Sequence, residues 1–242
     1  MKKNVIFAIS MLAAAFAFGQ NRNVEEVKVT APQFTGVENA IKIRNGSSSA
    51  LIADYLKEKV EFKTDIYAEG IEVVQFTVTA QGNVADFKII NSVSPNIDSE
   101  IIRVLENTNG MWLPGYSNGK PVDMTKEVTL AVCFETESSK LVSEIFKEKA
   151  TNFFNAATTA FVANKNPKKA IKYYNRSANY LPNDQSLLLM RGLCRFELGD
   201  NKGAHEDWNR MISLGGNIDM SEYSAQIAEM KGYNELIENL SK

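Results

Sequence analysis

Five pairs of residues in the C-terminal half of the chain recur at one spacing. Phe154 and Leu188, Thr158 and Gly192, Ala170 and Ala204, Tyr174 and Trp208, and Tyr180 and Leu214 are each 34 residues apart. A fixed period of this length marks a supersecondary unit that cannot bury its apolar face alone and must stack on a neighbour. Small residues recur where the two helices of a pair approach closely, and large apolar ones recur where they bury surface. The period sets repeats at 151–184 and 185–218, with Pro182 closing the first and Gly216 standing in its place in the second. Ile227, Met230, Tyr233, Leu236 and Ile237 predict a further helix at about 220–240 that caps the stack. Such stacks usually need roughly three repeats, so the preceding domain or the segment 139–150 is expected to cover the open end.

A length of 242 residues exceeds a single domain of ~100–200, and charge places the cut. Residues 48–137 hold 7 Lys+Arg against 14 Asp+Glu, net −7, whereas residues 138–242 hold 14 against 12, net +2. Within 48–137, Leu51, Ile52, Tyr55 and Leu56 predict a helix over Ala50 to Val60 with Ser49 as its cap. Ile71 to Thr79 alternates as a strand, Ala80-Gln81-Gly82-Asn83 turns, and Val84 to Ile90 returns. Ser94-Pro95 opens a second helix striped by Ile97, Ile101, Val104 and Leu105, and Val128 to Phe134 alternates as a last strand. The expected fold class is therefore an α+β domain, a helix-covered antiparallel sheet, followed by an all-α helical-repeat domain.

Met1-Lys2-Lys3-Asn4 followed by the apolar run Val5 to Gly19 has the form of a cleaved secretory signal peptide over 1–19. Cleavage would leave Gln20 first, or Phe18 at the alternative site. The run rises roughly 22 Å as a helix, short of a ~30 Å hydrocarbon core, which makes a permanent anchor the weaker reading. Residues 20–47 read as a weakly ordered leader, with Val27-Lys28-Val29-Thr30 as one short strand. In an exported chain two cysteines can pair. Cys133 and Cys194 nevertheless sit inside apolar patterns and read as separately buried thiols, an inter-domain disulfide being the alternative.

Two family resemblances follow from these residues. Ala68-Glu69-Gly70-Ile71-Glu72, Phe76-Thr77-Val78 with its Gln81-Gly82-Asn83-Val84 turn, Trp112-Leu113-Pro114-Gly115 and Asn118-Gly119-Lys120-Pro121-Val122 resemble the C-terminal domain of TonB-type energy transducers over about 90 residues. The chain departs from that pattern at Phe62-Lys63, where the family has Tyr-Pro, and it lacks the long Pro-rich spacer. The 34-residue repeats, with Gly192-Leu193-Cys194-Arg195-Phe196-Glu197-Leu198-Gly199-Asp200 as a first helix and turn, resemble tetratricopeptide repeats. The TonB resemblance implies an exposed sheet edge at Lys126 to Phe134, with Val128, Thr129, Leu130, Ala131 and Val132 as the strand to which an outer-membrane receptor segment adds. The repeat resemblance implies a concave groove lined by Asn152, Asn155, Thr159, Ser186, Leu189 and Leu193. It lacks the basic carboxylate-clamp pattern that some relatives use.

Little points to catalysis. A single His and two Cys are too few for a four-ligand zinc site, and a net charge of −2 opposes nucleic-acid binding. Gly115-Tyr116-Ser117-Asn118-Gly119 matches a nucleophile elbow in letters only, because Lys120-Pro121 follows where a helix is required. His205, the one histidine, lies in the repeat domain on the polar side of a helix. No cofactor is expected. Lys165, Lys168, Lys169, Lys172 and Arg176 form the strongest charge feature. Positions 165, 168, 172 and 176 are read as one helix face, either solvated or a dock for an acidic surface such as anionic lipid or the acidic domain of another copy. The expectation is a non-enzymatic periplasmic adaptor that pairs its sheet edge with an envelope protein and holds a second partner on the repeats. The alternative is a membrane-anchored energy transducer that supports outer-membrane transport.

Overall fold

The computed structural model describes residues 4–8, 27–36, 52–61, 68–134, 141–216 and 227–240. The expected signal-peptide residues 9–19, the Ser49 cap, Leu51, Phe62-Lys63 and the start of the capping helix lie outside these residues. The chain divides into two compact units, Met1–Glu137 and Ser138–Lys242. The first mixes helices with small antiparallel sheets, and the described part of the second is helical.

In the first unit, β1 (Asn4–Ala8), β4 (Gly70–Val78), β5 (Val84–Asn91) and β9 (Met124–Phe134) form one antiparallel sheet in the order β1-β9-β4-β5. The β4–β5 turn closes with Thr79 N–H donating to the Asn83 carbonyl at 2.8 Å, and Gly82 takes the left-handed φ of 79° that the turn requires. Alternation places Val74, Phe76 and Val78 of β4 and Val128, Leu130 and Val132 of β9 in the core. Two helices cover them. Ile52 and Leu56 come from α1 (Ile52–Lys59), and Ile97, Ile101, Val104 and Leu105 from α2 (Pro95–Glu106). Ser94 caps α2 by accepting from Ile97 N–H, with Pro95 in the first turn where its missing N–H costs nothing.

The leader expected over 20–47 is part of this fold where it is described. β2 (Val29–Thr30) pairs with β7 (Gly115–Ser117), and β3 (Gln33–Phe34) pairs with β6 (Trp112–Leu113). The cause is one aromatic side chain. Phe34 is 5% exposed, with its ring 5.1 Å from Trp112 and 5.4 Å from Tyr55. The core of the first domain therefore draws on residues before position 48. β7 and β8 (Lys120–Val122) are joined by Asn118-Gly119, whose φ values of 49° and 78° are those of a two-residue type I′ hairpin.

The second unit is built from helical hairpins. α3 (Val142–Thr158) runs into a π-helical turn at Thr159–Ala163 and is followed by α4 (Pro167–Ala178). α5 (Gln185–Glu197) and α6 (Asn201–Ser213) form the next pair, and α7 (Gly232–Leu240) packs against both. Residues 34 positions apart make matching contacts. Thr158 Oγ1 lies 3.3 Å from Tyr174 Oη between α3 and α4. At the equivalent place between α5 and α6, Gly192 meets the Trp208 indole so closely that any Cβ there would collide with the ring. Each hairpin thus divides its volume differently, Thr with Tyr in one and Gly with Trp in the other.

Asp184, Asn166 and Asp200 cap α5, α4 and α6 by accepting from Leu187, Lys169 and Gly203 N–H at 2.8, 3.0 and 3.0 Å. Asp184→Ala is expected to cost about 1 kcal/mol of second-unit stability, the usual loss for a cap. Urea denaturation followed by far-UV circular dichroism checks it. A cost beyond about 2 kcal/mol means that the residue does more than cap.

Candidate partner-binding surfaces

On its inner side β9 pairs with the whole length of β4, from Val78↔Met124 to Gly70↔Val132. Its outer side is not bare as expected. The N-terminal segment Asn4–Ala8 lies antiparallel along it, in the register Asn4↔Phe134 to Ala8↔Leu130. Among the described residues, Met124–Thr129 pairs with a strand on one side only. Of the predicted edge residues, Val128, Leu130, Ala131 and Val132 are buried and Thr129 is half-buried. Any strand added here is therefore held by backbone N–H and C=O groups, with few β9 side chains left to grip it.

The predicted repeat groove divides. Asn152, Asn155 and Thr159 are exposed on α3 and its π-helical end, with Thr159 Oγ1 donating to the Asn155 carbonyl at 2.9 Å. Ser186, Leu189 and Leu193 stand 34 residues later. Ser186 is half-buried, and Leu189 and Leu193 are fully buried in the core shared with Ile227 and Leu236. The correction has a packing cause. α5 is an inner helix against α4, α6 and α7, so positions that face solvent on α3 are closed on α5. The accessible groove residues are those of α3.

The cationic residues are all exposed, but they do not share one helix as the spacing suggested. Lys165 precedes α4, in a turn where its φ is 47°. Lys168, Lys169, Lys172 and Arg176 lie on α4 itself, within an arc of about 100° opposite the buried Ala170, Tyr174 and Ser177. The Arg176 guanidinium also sits 4.4 Å above the Phe153 ring of α3.

Three polar groups elsewhere stand out: Glu72, which the sequence did not single out, Asp207, which beside Glu206 reads as a solvated helix charge but is buried, and His205. Glu72 of β4 is fully buried. Its Oε2 accepts from Val93 N–H at 2.8 Å, and its Oε1 has no hydrogen-bond partner among the described residues. Burial pushes this carboxyl up to about 8, the nearby Asp98 carboxyl adding to the shift against the pull of the Val93 N–H. The signal was available, because Glu72 shares its parity with Val74, Phe76 and Val78. Asp207 of α6, 3% exposed, accepts a bidentate pair from Arg191 and forms an ion pair with Arg195, whose Nη1 lies 2.9 Å from its Oδ2. These two α5 arginines neutralise it, and burial still pushes its carboxyl up. His205 Nε2 lies 3.1 Å from Glu235 of α7, edge-on to Trp208.

Ser117 lies in β7, followed by the Asn118-Gly119 hairpin turn and β8 rather than by a helix, so the elbow geometry is lacking. Cys133 and Cys194 are buried thiols not joined in a disulfide, and burial pushes both up, that of Cys194 to about 12. Such thiols are poor nucleophiles at neutral pH. Among the described residues no group of three or more His, Cys, Asp and Glu is placed to hold a metal ion, and no helix is long and apolar enough to cross a membrane. No protein-family model matches the chain, and no curated protein matches it.

Proposed function

We propose that the chain is a non-enzymatic periplasmic adaptor that joins a TonB-C-terminal-like domain to tetratricopeptide-like repeats. The first captures an extended segment of an envelope protein along β9, and the second holds another protein through α3. One observation carries this reading. The outer side of β9 takes up an antiparallel strand, Asn4–Ala8, from an apolar segment of the chain's own N-terminus. An edge that pairs with one extended apolar segment has the backbone donors and acceptors to pair with another. The matching contacts of Thr158 with Tyr174 and of Gly192 with Trp208 support the repeat reading of the second unit.

The test is capture of envelope partners by crosslinking in the intact cell. Thr129→Pro removes a donor from β9 and fixes φ. It is expected to abolish capture, whereas Thr129→Ser leaves it intact. Because Thr129 also pairs with Val73 of β4, the melt of each variant is measured alongside. A folded Thr129→Pro protein that captures the same partners overturns strand addition. Recovery of the protein from inner-membrane fractions with Met1 intact would favour the energy transducer instead.

A further inference from the structure

We propose that the outward face of α4, with Lys165 in the turn before it, is an adsorption surface for anionic phospholipid. Lys165, Lys168, Lys169, Lys172 and Arg176 are all exposed, and among the described residues none of them is held in an ion pair. α4 contains no acidic residue at all. Ordinary solvated helices mix the two signs, since pairs three or four residues apart add stability. Here the arrangement works against the helix. Lys168 and Lys169 fall in the first turn, where the positive end of the backbone dipole favours Asp or Glu. Helix stability therefore does not account for these cations.

The same face also decides what kind of anion fits. Between the cations it adds only Asn175 and Asn179, both exposed. A stable protein partner requires a desolvated apolar or aromatic centre, and this face has none. A bilayer carrying acidic headgroups requires only an array of accessible cations, because each Lys or Arg near such a surface adds its own increment of attraction. The four α4 cations span about 12 Å along the helix, an extended row rather than a pocket for one small anion. Arg176, steadied over Phe153, closes the row at its C-terminal end.

The experiment is co-sedimentation of the exported chain, beginning at Gln20, with phosphatidylcholine vesicles, with and without phosphatidylglycerol. Binding is expected only with the anionic lipid, and it should disappear at about 0.5 M salt, where charges are screened beyond roughly 4 Å. Lys168→Gln/Lys172→Gln should weaken it about 25-fold, a factor of about five for each charge removed. Lys57→Gln/Lys202→Gln removes the same net charge from exposed sites elsewhere and should leave binding unchanged. Equal weakening by both pairs, equal binding to neutral vesicles, or no binding to anionic ones would each overturn the proposal. So would capture of an acidic protein by this face while the vesicles stay unbound.

Discussion

Trp208→Ala should lower the stability of the second unit by about 3–5 kcal/mol, the range for truncating a fully buried large aromatic. The indole is completely buried against Gly192, stacks on Phe196 with ring centroids 6.0 Å apart, and points its Nε1 at the Leu189 carbonyl, 3.4 Å away. Gly192 cannot fill the space left behind, because it has no side chain to move. The cavity therefore stays largely open, which puts the cost at the upper end. The measurement is simplified by an accident of composition. Trp112 is the other of the two tryptophans and lies in the first unit. Its fluorescence follows that unit, while far-UV circular dichroism in urea follows the helical one. A loss under about 1 kcal/mol, the range of surface substitutions, would show that Trp208 does not organise the hairpin.

Glu72 supplies the second large effect, and its sign is fixed by linkage. The folded unit holds a proton on Glu72 up to about pH 8, whereas in the unfolded chain the group ionises near its ordinary value of 4.5. The stability it contributes is fully present below about pH 4.5 and is lost progressively as pH rises to about 8. Roughly 3–5 kcal/mol is at stake across that window. Glu72→Gln keeps the shape and removes the titration. The variant should match the wild type near pH 5 and exceed it by that amount above pH 8, as read from Trp112 fluorescence in urea at a series of pH values with Trp208 replaced by Phe in both proteins. Parallel pH profiles for the two proteins would mean that the carboxyl is hydrated in the native state.

What was legible from the sequence was local or periodic. Ser94-Pro95 announced the start of α2 because a cap and an N-terminal proline are backbone chemistry confined to one turn. The alternation of Val74, Phe76 and Val78 announced β4, and the 34-residue period announced that Thr158 and Gly192, like Tyr174 and Trp208, hold equivalent positions. Long-range pairing was not legible. Phe34 is a lone aromatic in a polar stretch, and its role depends on Trp112, 78 residues away. Leu189 and Leu193 were misplaced because a repeat offset transfers position but not environment, and α5 has neighbours that α3 lacks. Lys165 was misplaced despite a warning two residues later. Pro167 favours the first turn of a helix, so the residues just before it belong to the turn. Glu72 shares the inward parity of Val74 and Phe76, but parity alone does not tell a buried carboxylate from one at the margin of a sheet.

The pairing of Asn4–Ala8 with β9 also bears on how the protein behaves in the tube. β9 is eleven residues long, has no proline, and carries only Lys126 and Glu127 as charges. A preparation that has lost its first residues would present the outer side of that strand as unpaired backbone, with Lys126 and Glu127 as its only charges to keep such edges apart. Two such chains can join edge to edge without any change of fold. Shelf life and monodispersity would then be governed by protein concentration and by the cleavage point at the N-terminus, more than by the depth of either core.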